Sequence, residues 1–334
     1  MSKSKRPVVV TGAAGFIGSS LTDQLLAQGT PVVGIDSFCD FYDPALKRKN
    51  IKQAQSHSDF TLVEADIRDR DAVLKMFETH KPEGVIHLAA MAGVRPSIEN
   101  PAYYTAVNLD GTVNLLDGAV ANKTERFVFA SSSSVYGNNK KVPFAESDNV
   151  DHPISPYAAT KKSGELICHS YSHLNDLPIS CLRFFTVFGP RQRPDLAISK
   201  FLRLVSQGQP IPIFGDGTTS RDYTFVNDIV DGIIKTLNHC GQAKANGQTG
   251  GKSAENFNIF NLGGNHPATL AELIATVEKV VGKKAIIDRK PMQPGDVDRT
   301  WADLTHSKAT LGYAPTTSLE AGIAKQWAWM QEQD

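Results

Sequence analysis

A tyrosine and a lysine stand four residues apart in the segment Ser155-Pro156-Tyr157-Ala158-Ala159-Thr160-Lys161. Serine followed by proline is typical of a helix start, and the spacing places Tyr157 and Lys161 on one face of that helix. A free phenol has a pKa of about 10 and is a poor base at neutral pH. A neighbouring ammonium stabilises the phenolate and lowers that pKa. The pair is therefore suited to take a proton from a hydroxyl group while hydride leaves the same carbon.

A glycine-rich loop joins the first apolar run to an apolar helix and reads Thr11-Gly12-Ala13-Ala14-Gly15-Phe16-Ile17-Gly18. In such a loop Gly12 allows a tight turn, Gly15 lets the backbone approach a pyrophosphate, and Gly18 lets helix and strand pack closely. The next apolar run ends at Asp36, whose carboxylate would accept hydrogen bonds from both ribose hydroxyls and repel a 2′-phosphate. The pattern predicts a dinucleotide site that prefers NAD to NADP.

These residues need a sheet that brings several loops together, and short apolar runs alternate with amphipathic segments in the way such a sheet requires. The predicted strands are residues 7–11, 31–36, 60–64, 84–87, 126–130 and 179–184. The predicted helices are residues 15–28, 44–55, 69–79 and 101–121, with another starting at Ser155-Pro156. The fold class is α/β, a Rossmann-type doubly wound parallel sheet with a smaller mixed α/β C-terminal domain for the substrate.

Proline and glycine become dense after residue 185, which marks a change of organisation. We expect residues 1–185 to form the dinucleotide domain and residues 186–334 the substrate region, with the chain crossing back between the two. Helices are predicted at 198–207, 226–237, 269–281 and from Ser318, and a polar glycine-rich surface loop at 241–254.

Composition limits the classes of function. The chain has 334 residues, 41% hydrophobic and 21% charged, with a formal net charge of +0. This balance is that of a globular protein and gives no support for nucleic-acid or membrane-surface binding. No run approaches the roughly 18 apolar residues of a membrane span, so we expect a cytoplasmic protein. The four cysteines are scattered, and His169 and His173 lack a third ligand, so no metal site is expected.

The GxxGxxG spacing together with Tyr157 and Lys161 resembles the extended short-chain dehydrogenase/reductase family over nearly the whole chain. Within that family the chain is most similar to the UDP-glucuronate 4-epimerases. The matching segments are residues 40–48, 92–97, 188–195 and 294–297. The resemblance implies oxidation of a UDP-sugar at C4 by NAD, rotation of the 4-keto sugar and return of the hydride to its other face. UDP-glucuronate is the expected substrate.

The resemblance also assigns cofactor residues. Asp66, followed by Ile67, would hold the adenine, although Asp66 could instead cap the helix that begins near Asp69. The loop Leu88-Ala89-Ala90 would cover the middle of the cofactor, and Ser131 would lie beside it. Lys161 would also bind the nicotinamide ribose. Asn108 would contact Lys161 or backbone, or only fix its own helix.

A run of four serines, residues 131–134, precedes Val135-Tyr136-Gly137. A serine near this point binds the reacting oxygen in the family, which we assign to Ser132, with Ser134 as the rival. Related 4,6-dehydratases and uronate decarboxylases carry acids where Ser133 and Ser134 stand. Without these acids, the resemblance favours epimerisation.

The resemblance also implies residues that would bind the substrate. Arg193 would bind the uronate carboxylate, with hydroxyl groups from Ser133, Ser134 and Thr186, unless it is a surface arginine. Arg95 is a further candidate near the sugar. Arg221 would bind the pyrophosphate and Asp296 a uridine ribose hydroxyl, while Gln293 stands where relatives have arginine. Thr300, at a position that can hold a bulky aromatic residue, would leave room beside the sugar.

Other interpretations remain open from the sequence alone. They are a 4-epimerase of UDP-glucose or of a UDP-N-acetylhexosamine, a UDP-glucuronate decarboxylase, and a non-catalytic NAD-binding regulator. The family suggests a homodimer. Five apolar residues could form its interface or belong to the internal core: Val113, Leu115, Leu116, Leu166 and Ile167.

Overall fold

The computed structural model describes residues 5–240, 242, 256–291 and 297–333. Gln293 and Asp296 lie outside this range, and so does the predicted glycine-rich loop at 241–254 except for residue 242. The strands are β1 Val8–Thr11, β2 Val32–Asp36, β3 Phe60–Glu64, β4 Gly84–His87, β5 Arg126–Ser132, β6 Ile179–Phe184, β7 Val187–Phe188, β8 Pro210–Phe214, β9 Ser220–Asp222, β10 Thr224–Phe225, β11 Phe257–Leu262, β12 Pro267–Thr269 and β13 Ile286–Lys290.

The helices follow the strands as a doubly wound fold requires. They are α1 Phe16–Ala27, α2 Pro44–Gln55, α3 Arg70–His80, α4 Val94–Glu99, α5 Pro101–Thr105, α6 Gly111–Ala121, α7 Pro156–Asn175, α8 Ala197–Ser206, α9 Val226–His239, α10 Leu270–Val281, α11 Thr305–Leu311 and α12 Leu319–Gln331. A π-helical turn, Ala106–Asp110, joins α5 to α6. None of the helices in the described part of the chain has the length and apolar character needed to cross a membrane.

Seven strands form one sheet in the order β11-β6-β5-β4-β1-β2-β3. Every neighbouring pair in it is parallel. Apolar side chains form a buried cluster on each face of the sheet, packed against the helices. The predicted Rossmann-type α/β fold is confirmed, and the carboxyl ends of the parallel strands converge on one edge, where such sheets bind ligands.

The C-terminal region contributes directly to the main sheet. β11 pairs with β6 from Phe257↔Ile179 to Leu262↔Phe184. The remaining strands form three small two-stranded sheets, β10-β7, β12-β9 and β13-β8. The region after β6 therefore both completes the large sheet and builds a second wall above its carboxyl edge.

Local capping explains where the functional helix begins. Ser155 Oγ accepts a hydrogen bond from Ala158 N at 3.1 Å, and Pro156 occupies the first helical position. This cap fixes the start of α7, so Tyr157 and Lys161 lie in its first two turns. The rival interpretation of Asp66 as a helix cap is wrong, because Asp69 caps α3 by accepting from Ala72 N at 3.0 Å.

Candidate active site

A cavity of about 740 Å³ lies at the carboxyl edge of the sheet, between it and the small C-terminal sheets. Its wall contains nearly all of the residues singled out from the sequence: Gly12, Gly15, Phe16, Ile17, Gly18, Asp36, Asp66, Ile67, Leu88, Ala89, Ala90, Arg95, Ser131, Ser132, Ser133, Ser134, Tyr157, Lys161, Thr186, Arg193 and Arg221. Asn108 is buried behind the wall, and Asp296 lies outside the described residues.

The glycine loop makes space that side chains would fill. Gly12 has φ +68°, and a Cβ on it would meet Ala89 N at 3.0 Å. A Cβ on Gly18 would collide with the carbonyl oxygen of Gly12. Gly15 stands at the N-cap of α1, where no side chain caps the helix. The first N–H groups of α1 are therefore available to an anionic ligand in the cavity.

Two carboxylates lie at the far end of this loop. Asp36 Oδ2 accepts from Ala14 N at 3.0 Å and Oδ1 from Phe38 N at 2.9 Å, which fixes the carboxylate while leaving further acceptor capacity on both oxygens. Hydrogen bonds from Arg68 hold the pKa of Asp66 below its ordinary value, against the effect of burial. Asp66 is paired with Arg68 at 2.7 Å, and both carboxylates line the cavity.

The π-helical turn presents Asn108 to the loop after β4. Asn108 Oδ1 accepts from Met91 N at 2.8 Å, and its Nδ2 donates to Met91 O and to Thr160 Oγ1, both at 3.0 Å. Of the alternatives raised from the sequence, the structure shows the backbone contact, with Thr160 rather than Lys161 as the side-chain partner. Asn108 thus ties α7 to the loop that lines the cavity.

Thr11 and His87 were not singled out from the sequence, yet they fix the loop that contains Leu88 and Ala89. Thr11 Oγ1 accepts from Leu88 N at 3.0 Å and from Ala89 N at 2.9 Å, and contacts His87 Nδ1 at 2.7 Å. Burial lowers the pKa of His87 to about 3, so the ring is neutral. The sequence signal that could have identified these two residues is a polar side chain at the end of an apolar strand.

Burial raises the pKa of the Tyr157 phenol above its ordinary value, and the neighbouring Ser132 side chain opposes that shift. The charge of Arg193 also lowers the pKa of the phenol. Ser132 Oγ lies 3.1 Å from Ser134 Oγ, so the two rival serines lie side by side, and Ser132 is the one that acts on the pKa of the phenol.

Lys161 is held by the strand below it. Its Nζ donates to Ala130 O at 2.7 Å and lies 5.1 Å from the centre of the Phe129 ring. Burial lowers the pKa of this ammonium to about 8. The backbone bond fixes the position of the ammonium at the end of β5.

A hydrogen-bonded ionic network behind the serine run, residues 131–134, was not predicted from the sequence. Glu165 accepts from Ser131 Oγ at 2.6 Å and forms a two-pronged ion pair with Arg183, with both N···O distances at 2.9 Å. Arg183 NH1 donates to Tyr136 Oη at 3.0 Å, and Tyr136 Oη donates to Asn261 Oδ1 at 2.7 Å. The network joins β5, β6, α7 and β11 directly beneath the cavity wall.

Arg193 lies near the reacting end of the cavity. Its Nε and NH2 form a two-pronged pair with Asp195 at 3.0 and 2.7 Å, its NH1 donates to Ala92 O at 3.1 Å, and it stacks 4.7 Å from the centre of the Phe41 ring. It is therefore a largely buried, anchored cation rather than the surface arginine that the sequence left open.

The other substrate candidates surround the outer part of the cavity. Arg95 lies 4.4 Å from the centre of the Phe214 ring, and Arg221 NH1 donates to Ser220 O at 2.9 Å. The expectation for Thr300 needs correction. Its side chain is buried and accepts from Asp222 N at 3.1 Å, so it does not form the cavity wall.

Comparisons with known proteins identify the family. A model of the family described as GDP-mannose 4,6 dehydratase matches residues 9–326. UDP-glucuronate 4-epimerase 1 of Arabidopsis thaliana is 44% identical over 96% of this chain and 76% of its own length. The UDP-glucuronate 4-epimerase of Thermodesulfobacterium geofontis is 40% identical over 97% of this chain and 96% of its own. The chain belongs to the extended short-chain dehydrogenase/reductase family.

Within this family a crystal structure offers a close spatial match. UDP-glucuronic acid 4-epimerase from Bacillus cereus, in complex with UDP-glucuronic acid and NAD, matches with a TM-score of 0.88 at 35% identity, covering 98% of this chain and 100% of that one. The family prediction from the glycine spacing and the Tyr157–Lys161 pair is thereby confirmed.

Proposed function

We propose that this protein is an NAD-dependent UDP-glucuronate 4-epimerase, an isomerase that interconverts UDP-glucuronate and UDP-galacturonate. One observation carries the proposal: Tyr157 and Ser132 lie in a cavity whose wall also contains Arg193, Ser133, Ser134 and Thr186. A base thus shares a cavity with a cation and three hydroxyl groups suited to a carboxylate. The similarity to UDP-glucuronate 4-epimerases over nearly the whole chain supports the same substrate.

The cofactor residues fit NAD. The glycine loop leaves space where a Cβ would collide, and the N-terminus of α1 offers N–H groups suited to a pyrophosphate. Asp36 is suited to the adenosine ribose, and Asp66 and Ile67 to the adenine. Leu88, Ala89, Ala90 and Ser131 line the middle of the cavity. When bound, NAD takes a hydride from the sugar and returns it.

The residues of this chain supply the proton chemistry. Tyr157 removes the proton from the 4-hydroxyl group and later gives it back, while Ser132 hydrogen-bonds the same oxygen. Lys161, anchored on Ala130 O, holds the nicotinamide ribose. Asn108 keeps α7 in place through Thr160 and Met91. Both proton transfers use one base, because the sugar turns while the catalytic groups stay fixed.

The serines also protect the intermediate. A 4-keto uronate is a β-keto acid, which loses CO2 when its carboxylate turns so that the breaking bond aligns with the carbonyl π system. Hydroxyl groups from Ser133, Ser134 and Thr186, with the charge of Arg193, oppose that rotation. Neither Ser133 nor Ser134 offers an acid for elimination, which favours epimerisation over the lyase alternatives.

The nucleotide half of the substrate has its own candidates. Arg221 is suited to the pyrophosphate and Asp296 to the uridine ribose, with Arg95 beside the sugar. Residues 1–185 then bind NAD and residues 186–334 the nucleotide sugar. We also propose a cytoplasmic homodimer. Leu115 and Leu116 belong to the internal core, whereas Leu166 on α7 is 56% exposed and suits an interface.

The proposal is tested by incubating the purified protein with UDP-glucuronate, without added NAD, and resolving the sugars by NMR. A mixture of UDP-glucuronate and UDP-galacturonate, lost in Tyr157→Phe, is the expected result and also indicates a retained cofactor. UDP-pentose with CO2 would indicate a decarboxylase. No conversion even after NAD is added, followed by turnover of UDP-glucose or a UDP-N-acetylhexosamine, would identify a different 4-epimerase. Failure on every nucleotide sugar would leave the non-catalytic regulator.

A further inference from the structure

We propose that Asp195 is a specificity-determining residue, which holds the guanidinium of Arg193 until the carboxylate of the sugar replaces it. The inference rests on the proposed function, because it takes the substrate to be a uronate. It concerns how tightly the protein binds that substrate, because a competing carboxylate at Asp195 would weaken the binding of a uronate and leave that of a neutral UDP-sugar unchanged.

Arg193 does not need Asp195 to stay in position. Its NH1 is bound to Ala92 O at 3.1 Å, and its guanidinium lies over the Phe41 ring. The side chain of Arg193 is only 14% exposed. The two remaining nitrogens, Nε and NH2, form the planar fork that Asp195 occupies. A carboxylate on the substrate has the same geometry as the one that is already bound.

Asp195 is free to leave, by contrast. Its side chain is 50% exposed and it lies in the turn just before α8, which begins at Ala197. A carboxylate that turns out of the pair meets water, so its separation costs little desolvation. Asp195 and Arg193 both line the cavity together with Ser133, Ser134 and Thr186.

Charge balance gives the reason for exchange. Arg193 and Asp195 form a neutral pair, and the other groups that act on the arginine are the phenols of Tyr42 and Tyr104. Burial raises the pKa of both phenols, so they are neutral at physiological pH. A uronate entering beside an intact pair would place its carboxylate next to that of Asp195, and two neighbouring carboxylates repel each other. If Asp195 turns to solvent, the uronate carboxylate and Arg193 form a neutral pair in its place.

The exchange makes selectivity depend on Asp195. A uronate must compete with an internal carboxylate, whereas a neutral sugar leaves the pair intact. Removing the charge at this position, in Asp195→Asn, should therefore strengthen binding of UDP-glucuronate and leave UDP-glucose and UDP unchanged. The opposite behaviour would be expected of a residue that only positions Arg193.

The experiment measures dissociation constants by calorimetry in the NAD-saturated full-length protein, with Tyr157→Phe added so that no sugar is turned over. We expect Asp195→Asn to bind UDP-glucuronate about tenfold more tightly, the scale of one hydrogen bond to a charged group. Asp23→Asn is the matched control. Asp23 pairs with Arg191, which is two residues before Arg193, at a distance of 2.8 Å between Oδ2 and NH1, and neither residue lines the cavity. Its substitution should change none of the three affinities.

Weaker or unchanged binding of UDP-glucuronate by Asp195→Asn would overturn the inference, and so would an equal gain for UDP-glucose. Failure of the proposed function is separately visible. If the protein with Tyr157 intact does not convert UDP-glucuronate, the substrate is wrong and the inference falls with it. If it converts UDP-glucuronate while Asp195→Asn gains no affinity, only the inference is lost.

Discussion

At the scale of single residues, burial opposes the ionisation of Tyr157, the proposed base. Burial raises the pKa of Tyr157, and the neighbouring Ser132 side chain is the largest influence that lowers it. We predict that Ser132→Ala lowers kcat by about 10²-fold, the lower end of the range for general acid–base groups. The acid limb of the kcat–pH profile should move to higher pH, because the phenol becomes harder to ionise.

The adjacent serine provides the comparison for this prediction. Ser134→Ala keeps the Ser132 side chain beside Tyr157, so the position of its acid limb should stay where it is in the unaltered protein. Ser132→Thr restores a hydroxyl group and should recover part of the rate. If Ser134→Ala moves the limb further than Ser132→Ala does, the assignment of the two serines is reversed.

The ionisation of Lys161 should determine the alkaline limb of the kcat/KM–pH profile. Burial lowers the pKa of its ammonium from 10.5 to about 8. The charge is present below that pH and is lost as the pH rises through it. Because kcat/KM reports groups of the free enzyme, kcat/KM for UDP-glucuronate should fall above pH about 8. In Lys161→Met the remaining activity should lack this limb, and an unchanged limb would assign it to another group.

At the scale of elements, periodicity predicted the long helices but neither the short ones, Val94–Glu99 and Thr305–Leu311, nor the irregularities within a helix. Residues 101–121 were predicted as one helix, and the structure has a π-helical turn, Ala106–Asp110, within that span. The extra residue in this turn directs Asn108 towards Met91 and Thr160, which are distant in sequence. Apolar spacing carries no information on such contacts, and π-helical turns are frequent at functional sites.

β5 shows the same limit at a strand. It was predicted to end at residue 130, yet it continues to Ser132, with Ser131 opposite Arg183 and Ser132 opposite Phe184. Serine has a weak strand preference, so composition alone ends the strand early. The partners that stabilise the extension, Glu165 and Arg183, come from α7 and β6, and only the fold brings them together.

The buried pair of Glu165 and Arg183 should therefore be a major contributor to stability. Both side chains are almost completely buried, and removing one partner leaves a buried charge without compensation. We predict that Arg183→Met lowers the free energy of unfolding by about 3–5 kcal/mol, measured by urea denaturation. Lys279→Met is the control, because its pair with Glu320 is exposed and contributes little. Equal effects of the two substitutions would contradict the prediction.

At the scale of the whole molecule, the proposed dimer has a testable surface. Leu166 and Leu174 are 56% and 74% exposed and stand eight residues apart on α7, which places them on one face. We predict that Leu166→Glu combined with Leu174→Glu gives a monomer in size-exclusion chromatography with light scattering. Leu46→Glu alters a leucine of α2 that is 38% exposed, and it should leave the mass unchanged. A dimer that persists in the double variant would place the interface elsewhere.

The sequence predicted a boundary near residue 185, and the contacts across that position show why the residues on its two sides depend on one another. β11 covers the outer edge of β6 along its whole length, and Phe260 and Leu262 on it are fully buried. Asn261 lies between them and completes the network of Arg183 and Tyr136. The apolar cluster on that face contains side chains from both regions. Without the second region, β6 would be an exposed edge above an incomplete core.

We therefore predict that a fragment of residues 1–185 does not unfold cooperatively, whereas the full chain shows one sigmoidal transition by circular dichroism in urea. The fragment retains the glycine loop, Tyr157 and Lys161, so its failure would be due to the lost strand and core rather than to a missing cofactor residue. Coexpression with residues 186–334 should restore the transition, because β11 can then add to β6. Cooperative unfolding of the fragment alone, with a midpoint near that of the full chain, would show instead that the first region is an independent domain.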